Sequence, residues 1–475
     1  MISLENLVDT LPLIILSAGI LLSVVIEMYS SKSENILPWF SELLFISTAF
    51  YSLYSVNSVS VVFQNMINTG GNVNIFYFVF CFGSAIVSLL SIDYLKKYGA
   101  FYGEYYILLQ ISVLGMMLMA AARDLFVVFL GLEIMSVSFY VLAGLNRNRL
   151  SANEASLKYF LLGAFATGFL VYGIALIYGA VHTTSITMIS NKFAGLSGNI
   201  LFMGGILLFL IGFSFKIAAF PFHMWVPDVY QGAPTTVSAL FSTGGKAAAF
   251  SAILAVLAVM FTGTGQNQFT PYLAVIATLS MLYGSIVAIA QTDIKRMLAY
   301  SSIAHAGYMI IGLASGNPEG VAGIIFYLAA YTFINLGAFG IVSIIEGENE
   351  TNLGISSYEG LSSKSPMLAA LLSIFMFSLA GIPPFAGFFG KYYIFIAAIK
   401  ADLTWLAILG VISSSISAYF YLRIVVLMYF KDSKSDFKIN KSNPGQLAVI
   451  ISVLIVIILG IAPGTLIDLI TSFLK

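Results

Sequence analysis

Apolar runs long enough to cross a lipid bilayer recur from one end of this sequence to the other. An α-helix rises about 1.5 Å per residue, so about 20 apolar residues match a hydrocarbon core about 30 Å thick. About fourteen such runs can be read, centred near residues 20, 47, 83, 113, 134, 168, 210, 248, 281, 305, 332, 378, 415 and 458. Only 9% of the 475 residues are charged, against about 25% in a soluble domain. The expectation is an all-α integral membrane protein of about 14 transmembrane helices. The first run follows Glu5 and Asp9 with no basic segment before it, so it is expected to stay in the mature chain. The single cysteine, Cys81, lies in a span; no intrachain disulfide, CxxC pair or thiolate-held iron–sulfur cluster can be assembled.

The loops orient the chain. Numbered alternately, one side carries Lys32, Lys96, Lys97, Arg147, Arg149, Lys295, Arg296, Lys364, Lys431, Lys434, Lys438 and Lys441. The other carries Arg123, Lys192, Lys400 and Lys475. By the positive-inside rule the richer side faces the cytoplasm, which puts both termini on the non-cytoplasmic side. The formal net charge is +0, and no basic cluster is dense enough to grip nucleic acid.

The remaining basic residues, Lys158, Lys216, Lys246, Lys391 and Arg423, fall within the spans, as does Glu133 in DLFVVFLGLEIMSVSFYVLAGL. A charge at bilayer depth costs roughly 2.5–3.5 kcal/mol on insertion scales, so several together imply a function. Lys246 stands twelve residues past Pro234, about 18 Å into the core. The two glycines before it, in STGGKAAAF, loosen the helix locally. Lys158 follows the loop NRNRLSANEAS closely enough to reach the interface, and Arg423 is placed to do the same.

Two apolar segments are interrupted by proline. In FKIAAFPFHMWVPDVYQGAP, residues 215–234, Lys216 precedes Pro221. In residues 366–399, Pro383 and Pro384 precede Lys391; as one helix this stretch would be roughly 51 Å long, too long to cross without a break. Proline removes a backbone donor and clashes with the preceding turn. Two broken helices, each with a buried lysine nearby, are the pattern of a transporter built from repeats; ordinary proline kinks are the plainer alternative.

Four buried lysines facing one glutamate cannot all stay ionised in a low dielectric. An amine that sheds and regains its proton can relay it, and a row of lysines bridged by water and by His305, in KRMLAYSSIAHAGYMI, makes a proton wire. Against this stand a purely structural pairing for Glu133 and a packing role for His305. His182 and His223 read as loop or interface residues, and three scattered histidines make a poor metal site. There is no phosphate loop, since GGK at 244–246 lacks the first glycine and lies mid-helix, and no G-x-G-x-x-G. The energy for pumping is therefore expected from a partner subunit or an ion gradient.

FKIAAFPFHMWVPDVYQGAP, TDIKRMLAYSSIAHAGYMI, SLAGIPPFAGFFGKYYIF, LEIMSVSFYVLAGL and SLKYFLLGAFATGFLVYG together resemble the antiporter-like membrane subunits of respiratory complex I, over about residues 75–430. The resemblance implies two inverted five-helix repeats, each with a broken helix. It implies residues 1–104 for helices 1–3, 105–262 for the first repeat, 263–431 for the second and 432–475 for the last helix. It implies that Glu133 pairs with Lys216, that Lys246 bridges the repeats, that His305 is a polar relay, and that Lys391 stands near the exit, where a sister subunit usually carries glutamate. Lys158 is a further candidate. No metal or cofactor is expected in this chain; NADH, FMN, iron–sulfur clusters and a quinone would belong to other subunits. The partners implied are further antiporter-like and small membrane subunits and a peripheral redox arm, in the cell (inner) membrane. The same fold also serves cation/proton antiporters and membrane-bound hydrogenases; a free-standing solute transporter and a scaffold are the readings from other classes. One departure is visible: after QGA the family often reads PTP, whereas this chain has Pro234, Thr235 and Thr236, which is expected to soften the start of the eighth helix.

Overall fold

The protein is described here by a computed structural model covering residues 4–98, 102–196, 198–260, 266–347, 351–432 and 442–474. Lys434, Lys438, Lys441 and Lys475, counted above for orientation, lie outside these residues. After a short α1 (Leu4–Asp9) come α2 (Leu11–Tyr29) and α3 (Ser33–Tyr54). A small antiparallel hairpin follows, β1 (Ser60–Val62) on β2 (Ile67–Thr69), with Ser60 opposite Thr69. It leads into α4 (Gly71–Lys97), α5 (Gly103–Ala121), α6 (Leu125–Ala143) and α7 (Leu150–Val181). Among the described residues, twelve helices are long and apolar enough to cross a membrane.

Two further passes are broken, at the prolines. The first consists of α9 (Ile200–Lys216) and α10 (Trp225–Gly232), entered from a short α8 (Ile186–Leu196). The last turn of α9 is closed by bonds from the amides of Ala218 to the Phe215 carbonyl and of Ala219 to the Ser214 carbonyl. Ala218 takes φ +62° to do this, and Pro221 follows. The second break, between α17 (Pro366–Ala380) and α18 (Ala386–Lys400), ends the same way. Gly381 at φ +87° donates to Ser378, Ile382 donates to Phe377, and Pro383 and Pro384 prevent resumption. Both half-helices thus stop in a left-handed cap followed by proline, a termination read from short local sequence.

Between them lie the eighth to eleventh passes. The eighth is α11 (Thr235–Leu240), a π-helical turn at Phe241–Gly245, and α12 (Lys246–Met260). Helix α11 starts cleanly after Pro234, so the absent second proline does not disrupt it; the distortion sits at the two glycines before Lys246. Then come α13 (Gln266–Ile289), α14 (Ile294–Ser315) and α15 (Pro318–Ile345). After a short α16 (Leu361–Lys364) and the broken α17–α18, the chain ends with α19 (Thr404–Phe430), α20 (Asn443–Ile461) and α21 (Pro463–Ser472).

One packing pattern occurs twice. Helix α5 packs on α6 as α13 packs on α14; α7 lies against the broken α9 as α15 lies against α18; and α5 meets α12 as α13 meets α19. Five passes per set is an odd number, so the second set enters the membrane from the opposite side, and the two repeats are inverted. Small residues permit the close approaches. A Cβ on Gly115 of α5 would meet the Gly131 carbonyl of α6 at 2.6 Å, and one on Gly173 of α7 would meet the Gly205 carbonyl of α9 at 2.7 Å. Helices α4, α11–α12, α14 and α15 are enclosed on nearly every side, while α2, α7, α13, α19 and α20 keep a broad outward face. Helix α15 is apolar around its whole circumference, as an enclosed helix must be.

Candidate functional site

The enclosed helices carry the polar groups. Lys216, Lys246, His305 and Lys391 are all buried, at 7%, 2%, 3% and 4% exposure. Lys216, in the last turn of α9, donates from Nζ to Ser136 Oγ at 2.8 Å and to the Tyr140 hydroxyl at 3.3 Å, both on α6. Glu133 stands on the same helix, one turn before Ser136, half-buried, with its Oε1 accepting from Thr167 Oγ1 of α7 at 2.9 Å. The two sit close enough for the carboxylate to act on the amine. The implied Glu133–Lys216 pair is, however, not a direct ion pair: none joins them among the described residues. Lys216 rests on Ser136 and Tyr140, and Glu133 on Thr167.

Lys246 opens α12 directly after the π-turn, a distortion frequent at functional sites. Its Nζ donates to the backbone carbonyl of Ser302 and, at 2.6 Å, to the Ser302 hydroxyl, and it lies 5.7 Å from the centre of the Tyr331 ring. Ser302, His305 and Tyr308 follow at three-residue spacing along α14, so they share one face. His305 Nδ1 lies 2.6 Å from the Tyr327 hydroxyl and Nε2 lies 3.0 Å from the Tyr421 hydroxyl, which in turn bonds Ser301. The imidazole therefore meets a phenol at each nitrogen. Tyr308 lies under Lys391, ring centre 5.1 Å from Nζ, and bonds Ser413 at 3.2 Å.

Lys391, on the second half of its broken helix, reaches back across the break. Its Nζ donates to the carbonyls of Leu379 and Ala380, each at 3.0 Å, and to Ser414 Oγ at 2.8 Å. These carbonyls end α17, where helix geometry leaves acceptors unpaired and the dipole favours a cation. In the first repeat the corresponding end is served differently, by Trp225 Nε1 donating to the Phe215 carbonyl at 3.0 Å.

From Lys246 to Lys391 the polar groups follow one another without a long gap. Between Lys216 and Lys246 the packing is aromatic instead, with Phe139 against Phe241 at 4.6 Å and Tyr159 stacked on Trp225 at 4.4 Å. Lys158 stands outside the buried row. About 40% of its side chain is exposed, and it pairs with Glu154 at 2.6 Å and Asp228 at 2.9 Å. Asp228 also holds Arg296 at 2.7 Å, tying α7, α10 and α14 together. Arg423 donates to the Ile289 carbonyl at 3.3 Å.

Two expectations need correction. His223, read as a loop or interface residue, is buried at 4% within the break of the first broken helix, between Phe220 and Tyr283; His182 is exposed, in a left-handed cap after α7. Lys295, counted with the loop charges, is fully buried and donates to the Ala233 carbonyl at 2.7 Å. Near it Glu346, also buried, accepts from Thr235 Oγ1 at 2.6 Å and from the Tyr94 hydroxyl at 3.3 Å. Sequence reading missed these two and the tyrosines and serines that hold the lysines. The three-residue spacing of Ser302, His305 and Tyr308 was the signal available.

A family model described as NADH:quinone oxidoreductase/Mrp antiporter, transmembrane, matches residues 122–417. A curated relative, NADH-quinone oxidoreductase subunit N 1 of Chloroherpeton thalassium, is 44% identical over 468 residues, which is 98% of each chain. Among solved structures, a chain of respiratory complex I from Thermus thermophilus with bound aureothin is 31% identical with a TM-score of 0.84, covering 97% of this chain and 99% of that one. A chain of the Mrp complex from Dietzia sp. has a TM-score of 0.87 at 20% identity, covering 99% and 97%; that likeness is one of fold.

Proposed function

The chain belongs to the family of membrane subunits shared by NADH:quinone oxidoreductases and Mrp antiporters, and from that premise we propose that it moves protons within a redox-driven NADH-quinone oxidoreductase, in the place taken by its relatives named subunit N. The observation that supports this most directly is the buried row Lys246–Ser302–His305–Lys391, whose amines rest on hydroxyls and carbonyls. A lysine held that way can release its proton without breaking an ion pair, and the hydroxyls beside it can pass one on.

In this reading Glu133 sets the charge beside Lys216, and a proton gained there is balanced by movement along Lys246, His305 and Lys391. Water would bridge the aromatic stretch between Lys216 and Lys246. Lys158, exposed and paired, acts at the edge. Oxidation of NADH and reduction of quinone, with the FMN and iron–sulfur chemistry between them, take place in other subunits. This chain contacts further antiporter-like and small membrane subunits in the cell membrane. We assign residues 1–104 to the three amino-terminal passes, 105–262 and 263–431 to the repeats, and 432–475 to the last pass, with both termini on the non-cytoplasmic side.

The test is the assembled complex in proteoliposomes carrying Lys246→Ala. Loss of proton uptake with assembly intact is expected. Undiminished pumping by the assembled variant would reduce the chain to a scaffold, and transport by the isolated chain alone would instead make it a free-standing antiporter.

A further inference from the structure

The three amino-terminal passes lie outside both repeats, yet where they meet α5, the first helix of the first repeat, they hold a cluster of buried polar groups. Glu42 of α3 is buried at 6%, and neither of its carboxyl oxygens has a hydrogen-bond partner within the protein. The two helices packed against α3 carry Ser84 and Ser88 on α4 and Tyr106 and Gln110 on α5, each pair one helical turn apart and all buried. The hydroxyls of Ser84, Ser88 and Tyr106 and the Gln110 Oε1 are likewise unpartnered. Gln110 Nε2 is anchored on Ser41 Oγ at 2.8 Å, next to Glu42, and Ser88 faces the carboxyl from α4.

The depths agree. Counted from the helix ends that share the Lys32, Lys96 and Lys97 face, Glu42 lies nine residues in along α3 and Ser88 nine residues in along α4, about 14 Å in each case. Gln110 lies about 10 Å in and Tyr106 about 5 Å, so the polar groups lead inward from that face. Asp93 of α4 and Glu27 of α2 stand nearer the surface; α2, α3 and α5 contain no Lys, Arg or His, and those of α4 are Lys96 and Lys97 in its last turn. No cation on these helices reaches the depth of Glu42.

A buried ionised carboxylate with no cation beside it and no well-formed hydrogen bond made to it is among the most costly groups a protein can hold. A carboxylic acid is not: it supplies one donor, for which Gln110 Oε1 is an available acceptor, and the surrounding hydroxyls suit internal water. We propose that the junction of α3, α4 and α5 is a second proton-holding site, in which Glu42 carries an exchangeable proton reached from the basic-loop face past Tyr106, Gln110 and Ser88. The site is built from residues outside the lysine row, so it stands or falls independently of that row. The oxygen-rich lining makes a sodium ion the competing occupant.

The experiment is infrared difference spectroscopy of the purified assembled complex, wild type against Glu42→Gln, in H₂O and D₂O near neutral pH. A carboxylic-acid C=O band should be present in the wild type, shift to lower frequency in D₂O, and be lost in the variant. Ser88→Ala, which keeps the acid and removes a hydroxyl beside it, should shift the band and also serves if Glu42→Gln fails to assemble. The same band should survive in Lys246→Ala, whatever happens to pumping. An unchanged spectrum in both Glu42→Gln and Ser88→Ala overturns the proposal, as does a band insensitive to D₂O or one removed by sodium at constant pH.

Discussion

Lys246 Nζ lies 2.6 Å from the hydroxyl of Ser302, so a buried amine on one pass is held by a neutral side chain on another, 56 residues away in sequence. A carboxylate partner would hold the proton in place; a hydroxyl and a carbonyl leave it exchangeable.

The first prediction concerns that bond. A hydrogen bond to a charged group contributes about 1.5–3 kcal/mol, equivalent to about tenfold or more in rate when it is lost from a rate-limiting transfer. Ser302→Ala should therefore slow proton uptake by the assembled complex at least about tenfold. Lys246→Arg should fail to rescue Lys246→Ala, because a guanidinium does not give up its proton. Normal pumping by the arginine variant would show that only the charge at 246 is needed.

Lys391 has a structural duty as well. Its removal strands the carbonyl of Leu379 at the buried end of α17 and leaves that of Ala380 with the long bond from Ser414 Oγ alone, at about 1–3 kcal/mol for a group left unpaired. Lys391→Met is expected to lower the thermal midpoint of the complex clearly more than Lys400→Met. Lys400 makes an exposed pair with Glu319 at 2.7 Å, and such pairs contribute about 0–1 kcal/mol.

Backbone contact between α5 and α6 makes a third case. A Cβ on Gly131 would meet the Gly115 carbonyl at 2.8 Å, while one on Gly168 of α7 would meet nothing within 4 Å. Gly131→Ala should destabilise the complex by about 1–3 kcal/mol through forced separation of the helices. Gly168→Ala should be neutral or mildly stabilising. Thermal unfolding of the two variants side by side decides; equal midpoints would mean that α5 and α6 part without cost.

The Asp228 cluster tests the place of Lys158. Its pairs are substantially exposed, so Asp228→Asn should cost only about 0.2–1 kcal/mol per pair and less in high salt. Lys158→Ala should reduce pumping less than Lys246→Ala. If the two lysine variants proved equally damaging at equal assembly, Lys158 would belong to the row.

How far the sequence reached can be seen residue by residue. The number of passes, the two breaks at Pro221 and at Pro383–Pro384, and the loosened helix before Lys246 were all legible, because run length, proline and glycine act within a turn or two of themselves. The depth of Lys246 followed from counting along a single helix. What each lysine touches did not: Ser302, Tyr331, Ser414 and the carbonyls of Leu379 and Ala380 are brought up by other helices, and the Glu133–Lys216 pair resolves into two groups with separate hydroxyl partners, Ser136 and Thr167. Lys295 and Glu346 lie beside loops in the sequence, and Glu42 sits in an apolar run like many others. Only the packing of α4 and α5 against α3, and the enclosure of α14 and α15 by their neighbours, decides that these three are buried, since exposure depends on what surrounds a helix and hydropathy records only what the helix itself contains.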